Sequence, residues 1–470
     1  MSPGKRVRVA DVVRRRRTPR LDAVSVLALV VPLVTVGLVL LVQQPPVHDQ
    51  VHPPALTKLT GTTIVCPSTT PTSRDGGVST ASGKSGDLSV DTGAQRTTVP
   101  VTTGAVTPLP GTGAVVVQGD DDLAPGLLGL RSGTSPINAQ DCGVPVSGQW
   151  FAGVGAGPTH NSVIELVNPD AGRADADITL YGSRAFTRRQ LHGITVPAHR
   201  TIRLDLGKIA PRGQLLSAQV NVTRGRLAAH VLDTRTDLVT HKVVREWLPR
   251  QEAPAIDNQL IGLPTGAGTR TLQLANPGED VVRAEIKVIT SDTTFAPAGL
   301  EPVTVRPGAT TAVSLTKVLA KALGDGAVGI QVTADAPVFA SVLTRLAADD
   351  ALTVPDTVIR DQAATLLPVA SGKGSTPVEA TLYISADAAG AARVTAYDTS
   401  GKQLLDKRVG QQQGHTAAVA LPKGTAFLQV TPEGTDVRAA VMLTGNGAAV
   451  MPLHELLTEG LVPSIRPGLS

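Results

Sequence analysis

The chain has 470 residues, 43 Lys and Arg against 39 Asp and Glu for a formal net charge of +4, and only 2% aromatic residues. Residues 1–23 alone hold eight basic and two acidic side chains, which leaves the rest of the chain near −2. A nucleic-acid partner, which needs a basic face on the folded part, is therefore not expected.

The first element is a run of 19 residues without charge, 24–42 (VSVLALVVPLVTVGLVLLV). About 20 apolar residues suffice to cross a hydrocarbon core of roughly 30 Å. Before it stand Lys5, Arg6, Arg8, Arg14, Arg15, Arg16, Arg17 and Arg20 against Asp11 and Asp22, and after it no Lys or Arg occurs until Lys58. The positive-inside rule then predicts a basic cytoplasmic tail at 1–23, a transmembrane helix at 24–42 and an extracytoplasmic remainder. The run passes into Gln43-Gln44-Pro45-Pro46 with no small-residue cleavage pattern, which favours an uncleaved signal anchor at the plasma membrane over a removed signal peptide.

Residues 43–57 are rich in Pro and His and read as a stalk. Beyond them the chain is built of Val- and Thr-rich runs such as Thr63-Ile64-Val65, Ala114-Val115-Val116-Val117 and Ala218-Gln219-Val220-Asn221-Val222, punctuated by Gly, Pro and Asp. Such runs read as strands joined by turns, and many of them in series predict a mainly β protein of tandem immunoglobulin-like antiparallel sandwiches. Only 313–323 (VSLTKVLAKAL) and 453–459 (LHELLTE) read as helical, the second as a short helix in a C-terminal tail at 453–470.

A repeat near 110 residues organises the strands. Glu165-Leu166-Val167-Asn168-Pro169 matches Gln273-Leu274-Ala275-Asn276-Pro277, and Ala218–Val222 matches Gly329-Ile330-Gln331-Val332-Thr333. A worn third copy carries Thr381-Leu382-Tyr383-Ile384 and Phe427-Leu428-Gln429-Val430-Thr431 in the corresponding places. The expected repeats are 149–252, 253–360 and 361–452. The stretch 58–148 reads either as a fourth, degenerate β-domain or as strands packed on the first repeat. Cys66 and Cys142 lie near its ends, outside the cytoplasm, with no C-x-x-C, and are expected to pair. In the chain-entropy account a bridge over such a loop stabilises by roughly 4 kcal/mol.

Catalytic and metal signatures are sought without success. Gly83-Lys84-Ser85-Gly86-Asp87 lacks the last glycine of a nucleophile elbow and the upstream glycine of a phosphate loop, where Val78 stands. No histidine pair has metal spacing, and His454-Glu455 has no second histidine four residues on. His230, on an apolar strand, reads as a core histidine. Asp120-Asp121-Asp122 and the pair Asp175 and Asp177 read as surface carboxylates without the oxygen spacing of a calcium site. Trp150 and Trp247 flank the first repeat and are expected to pack at its ends, which disfavours a sugar-stacking platform.

The Cys-Pro strand Ile64-Val65-Cys66-Pro67, the second cysteine ahead of Trp150-Phe151-Ala152-Gly153, the L-x-N-P strand and the stretch V-P-A-x-x-T-I-x-L-x-L at 196–206 resemble an actinobacterial family of membrane-anchored extracytoplasmic proteins of unknown function. Members of that family are often encoded near cell-wall glycosyltransferase genes. The resemblance implies an envelope role and carries no active-site residues. The expectation is a single-pass, non-enzymatic envelope protein acting as an extracytoplasmic scaffold or interaction module. It has no cofactor and no catalytic or metal residues, and its partners are the membrane and envelope proteins or cell-wall glycan. A glycan-binding module is the alternative, and a polysaccharide-processing enzyme the third.

Overall fold

A computed structural model describes residues 23–41, 55–183, 189–211, 213–347, 349–369 and 377–462. The expected cytoplasmic tail, most of the stalk and the last eight residues lie outside the described residues. A helix runs Ala23–Leu41 with Pro32 inside it and no acidic or basic residue in its end turns. Counting only the described side chains, which leave out Ser25, Val39 and Leu40, no helix is long and apolar enough to cross a membrane. The helix lies in one compact unit and Leu56–Gly460 form another. The second unit is mainly β, in several antiparallel sheets.

The strands follow from alternation. In Ala174–Gly182 and Val282–Thr290 every second side chain along the first half is buried, as a pleated strand with one face on a core requires. Eight strands make each module, seen most plainly in residues 148–248. There they run Gly148–Ala156, His160–Val167, Ala174–Gly182, Arg189–Val196, Thr201–Asp205, Gly213–Arg224, Ala228–Thr236 and Val243–Leu248. The first strand lies beside the sixth, the sixth beside the third and the third beside the fourth. The fifth lies beside the second, the second beside the seventh and the seventh beside the eighth.

The same order recurs three more times. It is found in 61–141, in 255–353, where the single long strand Ala327–Leu346 supplies both the sixth and the seventh, and in 363–452. The stretch of 61–141 thus repeats the strand order of the other three and carries its own core, in which Ile64, Val78, Leu88, Val101 and Leu127 from both of its sheets enclose one cluster. The order differs from that of an immunoglobulin domain, whose sixth strand pairs with its seventh. In modules two and three the sheets fuse into one of sixteen strands through the parallel pair Gly182 and Ala309.

Two asparagines account for the Asn-Pro signature. Each sits buried at the end of a second strand. Asn168 Nδ2 donates to Gly172 O (2.8 Å) and Val196 O (3.0 Å), while its Oδ1 accepts from Asp170 N (2.9 Å). Asn276 Nδ2 donates to Asp280 O (2.6 Å) and Val305 O (3.3 Å), and its Oδ1 accepts from Gly278 N (2.8 Å). One amide thereby satisfies the backbone of the turn it opens and ties that turn to the fourth strand.

The helix expected at 313–323 is present as Thr316–Gly324, its first residues being taken by the strand Ala309–Ser314. The helix expected at 453–459 is not formed. This segment is an extended strap: Leu453 N donates to Ala439 O (2.8 Å), Leu456 N donates to Gln362 O (2.8 Å), and Glu455 bridges Ala363. Pairing with two strand ends and burial of Leu453 and Leu456 outweigh a local helical pattern about two turns long, which is too short to hold by itself. The strap closes the unit, with Leu59 N donating to Thr458 O (3.2 Å) near where the chain entered.

Adjacent modules are packed in a closed circuit. Val65 and Val116 of the first meet Val167 and Ala228 of the second. Across this seam Ser68 donates from N (3.0 Å) and Oγ (2.7 Å) to the buried Glu165 carboxylate. Trp150 of the second packs on Phe339 of the third with ring centroids 4.3 Å apart. Ile261 and Ile289 of the third meet Ala440 and Val450 of the fourth. Leu130 and Ile137 of the first join the core of the fourth, and Ile137 N donates to Asn446 O (3.1 Å). The disulfide Cys66–Cys142 links the first strand of module one to the segment that leaves it.

Candidate functional site

Two regions of the unit gather ionisable side chains. The first is central. The eighth strands Ile137–Asp141, Val243–Leu248, Asp350–Thr353 and Gly447–Pro452 each touch the next, and the fourth returns to the first. Where these strands meet, residues from neighbouring modules come together. Gly447 has φ +117°, and a Cβ there would strike the Asp349 carboxylate, so no other residue could bring the chain this close.

At this junction Asn138 Nδ2 donates to Glu246 Oε2 (2.6 Å), and Ala448 N donates to Asp349 Oδ2 (3.3 Å). Burial pushes the Asp349 carboxyl up to about 7 and lifts Glu246 well above the carboxylate range, helped by the charge of Asp349 beside it. On the flank Arg235 Nε holds Asp233 (2.9 Å), and its Nη1 reaches Asp350 (3.5 Å). His160 Nε2 also meets Asp233 (2.9 Å), and Ser162 Oγ donates to the same carboxylate.

Ser162, His160 and Asp233 are the residue types of a hydrolase triad, but they are joined in the wrong order. Serine and histidine both bind the aspartate, so the histidine cannot take the serine proton. Arg235 and Asp350, with Glu246, line a void of about 10 Å³, room for about one water. No substrate fits there.

The second region is open. Beneath the strap, a cavity of about 390 Å³ has apolar walls from Ile64, Leu128, Val144 and Leu366 and polar contributions from Arg250 and His454. Burial lowers the His454 imidazole below its ordinary value, and its Nδ1 lies 3.3 Å from Thr357 Oγ1. A larger groove of about 770 Å³ adjoins it and shares Glu252, Glu455, Leu456 and Leu457. Its described lining has charged and hydrogen-bonding groups, among them Asp257, Asn258, Arg360 and Asp361, and no aromatic side chain. Glu455 is committed to the backbone, accepting from Arg360 N (2.9 Å) and Asp361 N (2.8 Å). Asp356, buried in the wall, accepts from Ile261 N (2.9 Å) and is pushed up to about 8 by burial.

The family of unknown function DUF5719 matches residues 131–422. The chain belongs to this family. The match begins in the seventh strand of module one and stops after the fifth strand of module four, so the repeated strand order extends beyond both of its ends. No curated protein matches the chain. This DUF5719 chain therefore has its site read from geometry alone.

Of the residues weighed from sequence, Cys142, His454 and Glu455 line the open region. Cys66 and Cys142 are bonded, with sulfurs 2.01 Å apart. Asp122 is paired with Lys58 at the surface (2.6 Å), and Asp177 caps Gly193 N (2.8 Å). His230 is buried against Trp247, and desolvation holds it down at about 4, hence neutral. Both tryptophans are buried, as a packing role requires. The central cluster was missed because Asn138, Glu246 and Asp349 belong to three different modules and share no local motif.

Proposed function

We propose that this DUF5719 protein is a non-enzymatic, single-pass membrane protein of the cell envelope. In this reading its four-module extracytoplasmic unit is a scaffold for other envelope components. The observation that carries the reading is that four copies of one two-sheet module, each sandwich-like, close on one another across packed seams. What remains open to a partner is the grooved face at the strap. The charge-free run 24–42, the arginines before it and the helix Ala23–Leu41 support the anchor, and the disulfide supports an oxidising compartment. Proximity labelling from a tag at the exported end is the test. Enrichment of a defined set of envelope proteins is the expected result, and labelling at background would overturn the reading.

Cell-wall glycan is the second candidate partner, favoured by the hydrogen-bonding, aromatic-free groove. Glycan binding there would rest on hydroxyl contacts and not on stacking. Retention of the detergent-solubilised chain on cell-wall polysaccharide at low salt is expected in that case, and complete flow-through removes it.

A further inference from the structure

Glu246 Oε1 and Asp349 Oδ1 are both shut off from solvent and without a donor, although each carboxyl has its other oxygen satisfied. Each side chain is close enough to act on the other's carboxyl. Two carboxylates cannot hydrogen-bond without a proton between them, and two like charges enclosed side by side cannot both persist. We propose that Glu246 and Asp349 form one proton-binding site, a carboxyl–carboxylate latch at the meeting of the four eighth strands, so that the unit takes up a proton on closing and releases it on opening.

The geometry explains why the proton goes there. Asn138 donates to the far oxygen of Glu246, and the Ala448 backbone donates to the far oxygen of Asp349. The facing oxygens are therefore left with each other. The nearest fixed charges do not replace the proton. Asp350 and Asp233 add negative charge to Glu246, while Arg235 and Arg345 are turned to Asp350, and Arg235 and His160 to Asp233. The module-four strand Gly447–Pro452 has no ionisable side chain. On the module-one strand Asp141 acts on His230 and His454 instead.

The direction of the pH effect follows. Both carboxyls are raised in the folded state, so the latch contributes fully below their unfolded values, near 4. Its contribution falls as pH rises from there through the raised folded range of the pair, about 7 at Asp349. His230 titrates in the opposite sense and Asp356, also raised by burial, in the same sense, so the raw curve of the wild type mixes all three. The Glu246→Gln variant isolates the latch. Its amide donates permanently to Asp349 and does not titrate.

The test is urea unfolding of the full chain in detergent, wild type beside E246Q, from pH 5 to 8. The folding constant of E246Q is expected to gain on the wild type by about tenfold per pH unit, the slope of one linked proton. Parallel profiles would overturn the proposal. Infrared difference spectroscopy provides a second readout that does not depend on E246Q folding. The chain with Asp356→Asn, which removes the other enclosed acid, is expected at neutral pH to show the carbonyl stretch of an enclosed protonated carboxylic acid that disappears on unfolding, and absence of that band overturns the proposal equally.

Discussion

The central junction and the strap-side groove are both dense in carboxylates and guanidinium groups, yet they differ in one quantity, room. The junction encloses about 10 Å³ and the groove about 770 Å³. Where no ligand can enter, each charge must be met by the protein's own groups, and removing one partner strands another in a medium of low dielectric. Where solvent enters, the same residue types are screened and contribute little to folding. Charge clusters alone do not mark an accessible surface in this protein, and the space beside them separates the two cases.

The comparison can be broken from its strong side first. Arg235→Ala should destabilise the unit by about 3–5 kcal/mol in urea unfolding, because Asp233 and Asp350 lose their common cation within the protein. A loss below about 1 kcal/mol would mean that water reaches the junction. Replacing both cysteines, Cys66→Ala with Cys142→Ala, should cost about 2–5 kcal/mol by the same measurement. Asn168→Ala and Asn276→Ala should each cost about 1–3 kcal/mol, and by similar amounts, since the two amides make corresponding bonds. A large inequality would show that the repeats are not energetically alike.

Asp356→Asn lies between the two regions, buried but in the groove wall. Its folded carboxyl stands near 8 against an unfolded value near 4, so the wild-type contribution is complete at acid pH and declines up to about pH 8. The asparagine still accepts from Ile261 N and should overtake the wild type as pH rises, as read by melting temperature at pH 5 and pH 8. The weakest effect belongs to the groove itself. Arg360 is mostly exposed and 3.8 Å from Asp436, so Arg360→Ala should change stability by no more than about 0.5 kcal/mol. That makes it a suitable variant for binding assays.

Much of the architecture was legible because it is written locally. Strand runs such as Ile64–Cys66 and Ala218–Val222 announce themselves by composition, and the Asn-Pro pairs mark two copies because one amide side chain does a job that few others can. Modules one and four lack that pair, so the first could be read from sequence as a domain or as an appendage, and only its strand order settles the resemblance. The strap failed for a physical reason. Leu453, Leu456 and Leu457 have helical spacing, but the backbone of Leu453 and Leu456 finds partners on Ala439 and Gln362, 14 and 94 residues earlier in the chain, which no local pattern encodes. The junction was invisible for the same cause, since Asn138, Glu246 and Asp349 converge only when four separate modules close.

The hydrogen bond between Leu59 and Thr458 places the entry and exit of the four-module unit side by side. A circuit closed in this way has no privileged starting point. The unit could be permuted, its present ends fused and new ones opened in the exposed turn Asp237–Lys242 ahead of Lys242, whose Nζ donates to Ala347 O (2.8 Å) across a seam. By the same logic it could sit as a cassette inside another chain, entering and leaving through a single doorway.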